Sequence, residues 1–204
     1  MKTQILTTQQ IKQAAEIITN GGIIAFPTET VYGLGVIYDN KEAFDKLVAI
    51  KNRQPNKPFT LICCRKDQIH KYAEVSGISQ KIINAFLPGP LTIVLPSKAN
   101  LPKWVDFSIG QVGIRVSSMK VVEKLITAVG KPLLVPSANK RDERPAQTGA
   151  EALAIFDGQI EAIINGRITG GVPSTVIEVD RHDKIRLLRE GPISLQQIME
   201  VLNK

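Results

Sequence analysis

Gly22-Ile23-Ile24-Ala25-Phe26-Pro27-Thr28-Glu29-Thr30-Val31-Tyr32-Gly33-Leu34-Gly35 (residues 22–35) is the stretch on which the fold turns. Gly22–Phe26 is apolar and too short for a helix, which predicts a buried strand. It runs directly into Pro27–Gly35, where proline, glycine and hydroxyl residues crowd. In α/β sheets, ligand-binding loops lie just beyond strand ends; a purely structural turn would use the same residue types. Working upstream, Thr7 or Thr8 is placed to cap an amphipathic helix to about Asn20, with Ile11, Ala14, Ala15 and Ile18 on one face and Gly21 as terminator. Working downstream, Asn40 caps a helix to about Ile50 that carries Ala43, Phe44, Leu47 and Val48, and Phe59–Cys64 follows as another apolar strand.

The alternation continues to the end of the chain. Strands are predicted at Leu91–Leu95, Val112–Val116, Leu133–Val135, Ala162–Ile164, Ser174–Val179 and Lys184–Leu188. Helices are predicted near Ser79–Phe86, Met119–Val129, Thr148–Phe156 and Ser194–Leu202, the last opened by a Ser194/Gln197 capping box. Short strands recurring between amphipathic helices predict an α/β fold around one mixed, twisted sheet. No internal repeat or linker interrupts the pattern, and with 204 residues, 43% of them hydrophobic, the expectation is a single domain over residues 1–204.

Composition excludes several classes. The apolar runs are far shorter than the ~20 residues of a membrane-spanning helix, and no signal-peptide pattern follows Met1, so a cytoplasmic protein without membrane contact is expected. Cys63 and Cys64 are adjacent and read as buried thiols. With only His70 and His182 beside them, no zinc site is expected. A formal charge of +7 predicts attraction to phosphate-bearing partners, nucleotide or RNA, and serves solubility equally well.

Four other places share the chemistry of Pro27–Gly35: Lys51–Pro58 at a helix end, Pro136-Ser137-Ala138-Asn139, Gly170–Thr175, and the arginines Arg115 and Arg189 near strand ends. No GxxxxGK[ST] phosphate loop is present, and Gly33-Leu34-Gly35 alone is no dinucleotide fingerprint. Each place has a plain structural explanation: cations at a helix C-terminus for Lys51, Arg53 and Lys57, an Asx turn or cap for Ser137 and Asn139. Those explanations do not account for all of them occurring in one small chain.

Taken in order, PTETVYGLG, a KxR followed by a proline-containing loop, PGPLT (Pro88–Thr92), GIRV (Gly113–Val116), PSAN, GxPSTV and LREG resemble the YrdC family of threonylcarbamoyl-adenylate synthases from Gly21 to about Pro192. The resemblance implies a YrdC-like twisted mixed sheet with flanking helices and a positively charged concave face holding ATP and L-threonine. It implies Lys51 and Arg53 as catalytic residues at the phosphates and carboxylate, and Arg53, Lys57, Ser137, Asn139 and Arg189 on the nucleotide side. Thr30, Arg115 and Ser174 would hold threonine. Three departures stand out: Lys140-Arg141-Asp142-Glu143 replaces a small turn after PSAN, Gln54 stands where proline usually follows KxR, and Ile62 stands where longer relatives place histidine.

The implied reaction joins threonine, bicarbonate and ATP. A carbamate oxygen attacks the α-phosphorus and pyrophosphate leaves, with Mg2+ held mainly by the ATP phosphates and no protein metal site. tRNA would be bound weakly or indirectly, and downstream threonylcarbamoyl-transfer proteins would take the product. The competing readings are a YciO-type paralogue, an RNA-binding module, and the carbamoyl-transfer chemistry of longer hydrogenase maturation proteins.

Overall fold

Strands and helices do alternate in the structure, a computed structural model that describes residues 2–52, 59–99, 101–106 and 109–203. In chain order they are β1 (Gln4–Leu6), α1 (Ile11–Thr19), β2 (Ile24–Phe26), β3 (Gly33–Ile37), α2 (Lys41–Lys51) and β4 (Leu61–Cys63). Then come a 3-10 turn (Lys66–Gln68), α3 (Ile69–Tyr72), α4 (Gly77–Phe86), β5 (Leu91–Pro96), α5 (Lys103–Asp106) and β6 (Gln111–Val116). The chain continues through α6 (Lys120–Val129), β7 (Leu133–Leu134), α7 (Gly149–Phe156), β8 (Ala162–Ile164), β9 (Thr175–Val179), β10 (Ile185–Arg189) and α8 (Leu195–Leu202).

The strands form one mixed sheet of ten in the order β1-β8-β2-β3-β7-β4-β6-β5-β9-β10. Parallel pairs (β1 with β8, β8 with β2, β4 with β6, β5 with β9) are interspersed with antiparallel ones. One face is sealed by the larger core, which includes Leu34, Phe59, Leu61, Ile93, Ile114 and Phe156; the other carries a smaller core where α1 and α6 pack on Phe26, Ile62 and Leu133.

Period-two alternation in β6 sets up the site. Val112, Ile114 and Val116 enter the larger core, which turns Gln111, Gly113 and Arg115 toward the opposite face. Register carries that face to both neighbours, since Ile62 pairs with Arg115 and Val94 with Gly113. On this face the sheet carries a trough lined by residues such as Thr92, Gly113, Val176 and Leu188.

Two expectations are corrected. Gly33–Gly35 is strand β3, paired antiparallel with β2, and only the residues before it form a loop. Its glycines answer close packing: a Cβ on Gly35 would meet the Phe26 ring at 2.5 Å, and one on Gly33 would meet Val135 at 2.5 Å. Nor do Thr7 and Thr8 cap α1. Gln10 holds the N-cap position without a side-chain bond to the helix, and its Oε1 instead accepts from the Thr7 amide at 2.9 Å and hydroxyl at 3.1 Å.

Candidate functional site

A cleft of about 120 Å³ opens on the uncovered face, walled by Thr28 and Thr30, by Phe59, Thr60 and Ile62, and by Ser137, Ser174 and the two arginines Arg115 and Arg189. Four of the five places singled out in the sequence therefore converge. The fifth is split, because Arg53 and Lys57 lie outside the described residues while Lys51 lies within them.

Arg115 is buried at the floor, in an ion pair with Glu29 whose Nη2–Oε1 distance is 2.7 Å. Its Nε donates to Glu29 Oε1 and to Gly89 O, both at 3.2 Å, and its Nη2 donates to Thr30 Oγ1 at 3.1 Å. These bonds use one edge of the guanidinium. Among the described residues none supplies an acceptor to Nη1, so that nitrogen keeps two N–H donors for a ligand.

The turn at residues 28–31 is held by its own hydroxyls. Thr28 Oγ1 donates to Val31 O at 2.7 Å and accepts from the Thr30 amide at 3.1 Å. Because the Thr28 proton is spent on Val31, Thr30 is the donor in the 2.9 Å bond between the two hydroxyls. Thr30 Oγ1 thus offers the cleft a lone pair, suited to an ammonium or hydroxyl donor.

On the opposite wall, Arg189 donates from Nε and Nη2 to Ser174 O at 3.0 and 2.8 Å, and from Nη2 to Ser174 Oγ at 3.0 Å. Ser174 Oγ also lies 2.9 Å from Thr92 Oγ1. All these acceptors are neutral, and no carboxylate among the described residues forms an ion pair with Arg189. Partial burial, and then the charge of Arg115 nearby, lower its pKa from the ordinary arginine value, yet a guanidinium stays cationic. One carboxylate against two guanidiniums leaves the described part of the cleft with a net positive charge, fitted to anions.

Lys51 is placed differently from the expectation. It is buried, 4% exposed, at the end of α2, and its ammonium donates to Ser137 O and Asn139 O, each at 2.6 Å, and to Asn139 Oδ1 at 3.1 Å. These bonds join the helix end to a segment 86–88 residues away in sequence, beyond what capping its own helix requires. Asn139 likewise spends its amide on its own loop, donating to Lys140 O at 2.7 Å and Glu143 O at 3.0 Å. Ser137 lines the cleft, whereas Lys51 and Asn139 stand behind it and fix the loop that presents Ser137. The Lys140–Glu143 departure is absorbed locally: Lys140 donates to Ile50 O at 3.0 Å at the end of α2 and lies 5.0 Å over the Phe156 ring.

Sequence reading missed Glu29, Thr28 and Ser117. The available signal was a carboxylate inside a buried turn, which demands a cation. Tyr32 was missed as a fastener: its hydroxyl donates to Gly166 O at 2.6 Å and accepts from Gly166 N at 2.9 Å, and burial, the larger effect, raises its pKa above the usual phenol value.

A family model for Sua5, YciO and YrdC proteins, described as telomere recombination, matches residues 16–191. The chain belongs to the Sua5/YciO/YrdC family. Among solved members, P. abyssi Sua5 complexed with L-threonine is 31% identical with a TM-score of 0.91, over 99% of this chain and 61% of that one. E. coli YciO is 26% identical with a TM-score of 0.87, over 96% of this chain and 99% of that one. The MTH1692 protein from Methanobacterium thermoautotrophicum is 30% identical, with a TM-score of 0.73 over 90% of this chain and 87% of that one. The chain spans less than two thirds of the Sua5 chain it matches and is of YciO-like extent. The twisted mixed α/β sheet with flanking helices expected of the family is the fold observed.

Proposed function

We propose that this family member is an L-threonylcarbamoyladenylate synthase: it joins L-threonine, bicarbonate and ATP into threonylcarbamoyl-adenylate with release of pyrophosphate, supplying threonylcarbamoyladenosine modification of tRNA. The carrying observation is the cleft itself, which Arg115, Thr30 and Arg189 line together, with no acceptor on Arg115 Nη1 and no carboxylate paired with Arg189 among the described residues. The first pair suits an amino acid's carboxylate and ammonium, and Arg189 suits a phosphate. The likeness to a Sua5 that carries L-threonine supports the amino acid named.

In this reading the threonine amine forms a carbamate, whose oxygen attacks the α-phosphorus while pyrophosphate leaves. Charge grows on phosphoryl oxygens as it does so, and guanidiniums already in place stabilise it without reorganisation. The family resemblance assigns Arg53 and Lys57, which lie outside the described residues, to the phosphates, and Lys51 acts by holding the Ser137–Asn139 loop. In this reading magnesium enters as part of the ATP complex, held mainly by its phosphates, while Glu29 is committed to Arg115 and Ser117. Contact with tRNA is through its phosphate backbone, hence weak and salt-sensitive. No helix among the described residues is long and apolar enough to cross a membrane.

Labelled bicarbonate tests the reading. Its carbon is expected in an adenylate product only when threonine and ATP are both present; an unlabelled adenylate pool contradicts it. A second reading, a YciO-type protein that binds nucleotide or RNA without this synthesis, draws on the likeness to E. coli YciO at 26% identity and a TM-score of 0.87. That reading predicts ATP binding with no labelled adenylate.

A further inference from the structure

We infer that Glu29 divides the positive charge of the cleft between two kinds of anion: paired with Arg115, it makes that guanidinium a directional carboxylate receptor and leaves Arg189 to receive phosphate. The inference rests on the reading of the cleft as a site for an amino acid beside a nucleotide.

Glu29 is buried, and both its oxygens are engaged. Oε1 takes Arg115 Nη2 at 2.7 Å and Nε at 3.2 Å, while Oε2 accepts from the Ser117 hydroxyl. Ser117 Oγ in turn accepts from the Met119 amide at 3.2 Å, at the head of α6, so the carboxylate is fixed from two directions. With Gly89 O and Thr30 Oγ1 added, the Arg115 guanidinium is locked in rotation, and Nη1 is the nitrogen that the described residues leave to a ligand.

The electrostatic consequence separates ligands. Seen from the cleft, the Glu29 charge in hydrogen-bond contact behind Arg115 cancels most of the guanidinium's long-range field, since opposite charges at that separation act as a dipole. What remains is directional: the N–H groups of Nη1 at the positive end of a neutral pair, suited to the single charge of a carboxylate. A phosphate carries more charge and loses more hydration on entering than this neutral pair returns, and its oxygens meet the Thr30 lone pair, which repels them. A zwitterionic amino acid presents an ammonium to that same lone pair. Among the described residues Arg189 binds the neutral oxygens of Ser174 and no carboxylate, which leaves its charge to phosphate. Glu29 is thus a positioning residue that acts through Arg115 and keeps phosphate out of the amino-acid half.

The experiment is calorimetric binding of L-threonine and of ATP, with inorganic phosphate as competitor, to the wild-type protein and to Glu29→Gln. In the wild type, phosphate is expected to displace ATP and leave threonine bound. Glu29→Gln keeps the side-chain shape, removes the anion that fixes the orientation of Arg115 toward a carboxylate, and frees the guanidinium's charge for phosphate. Its threonine affinity is expected to fall about tenfold, phosphate is expected to displace threonine, and competition at the ATP side should be unchanged. Ser117→Ala keeps the carboxylate charge and loosens one oxygen; about a threefold loss of threonine affinity is expected, with phosphate still unable to displace threonine. Wild-type threonine affinity without phosphate displacement in a folded Glu29→Gln protein overturns the inference. If Glu29→Gln does not fold, wild-type threonine affinity in Ser117→Ala overturns it instead. A wild-type protein that binds neither threonine nor ATP overturns the underlying reading of the cleft, and this inference with it, before any variant is made.

Discussion

Lys51 and the two arginines make three different uses of positive charge, and substitution separates them. Lys51→Met leaves the carbonyls of Ser137 and Asn139 without their buried donor; the expected outcome is a loss of about 2 kcal/mol in denaturant titration together with weakened nucleotide binding. Arg115→Ala strands the Glu29 carboxylate in a buried site, and about 3–5 kcal/mol of destabilisation is expected. Arg189→Gln gives up bonds to Ser174 in a partly exposed position, so it should cost only about 1 kcal/mol of stability while raising the KM for ATP at least tenfold. Equal stability losses for the two arginine variants would contradict the difference in their partners. Thr30, Arg115, Ser137, Ser174 and Arg189 were marked in the sequence by the family motifs they sit in, and the structure gathers them around one cleft. Glu29 was not legible as a partner of Arg115, since the two lie 86 residues apart and only the sheet brings them together.

Helix capping was legible where a short polar side chain sits one residue before the apolar periodicity. Asn40 accepts from Ala43 N at 3.0 Å, Thr148 caps α7, and Ser194 with Gln197 forms the expected box on α8. At α1 the same signal misled, because Thr7 is engaged by Gln10 before the helix begins. The expected consequence is a contrast: Asn40→Ala should cost about 1 kcal/mol in a thermal or urea melt, whereas Gln10→Ala should stay within about 0.5 kcal/mol. A larger loss in Gln10→Ala would assign the cap differently. Strand β3 was missed for another reason: its two glycines read as a turn, and only the packing of Phe26 and Val135 against them shows why a strand lacks side chains there.

At the scale of the whole molecule, strand type was legible and strand order was not. The sheet places β8 between β1 and β2, and β7 between β3 and β4, so neighbours are far apart in sequence and local patterning carries no trace of them. The core they enclose has a signature in pH. Burial pushes the Cys63 thiol from its ordinary 9.0 up to about 12 and raises the Tyr72 and Tyr32 phenols above 10.0. Unfolding lets these groups ionise at their ordinary values, so the unfolded chain loses protons that the folded chain keeps; stability present below about pH 9 is lost as pH rises above it. A melting midpoint that falls steadily from about pH 9 upward is expected; a midpoint unchanged through that range would contradict the burial of these groups. The central claim, a cleft that joins an amino acid to a nucleotide, is tested most directly by pyrophosphate release from ATP with threonine and bicarbonate supplied together, singly or not at all. The account predicts release only with both, and weaker release with serine, whose missing methyl should cost about 1–3 kcal/mol in discrimination. Release that persists without threonine, or equal turnover with serine, would contradict it.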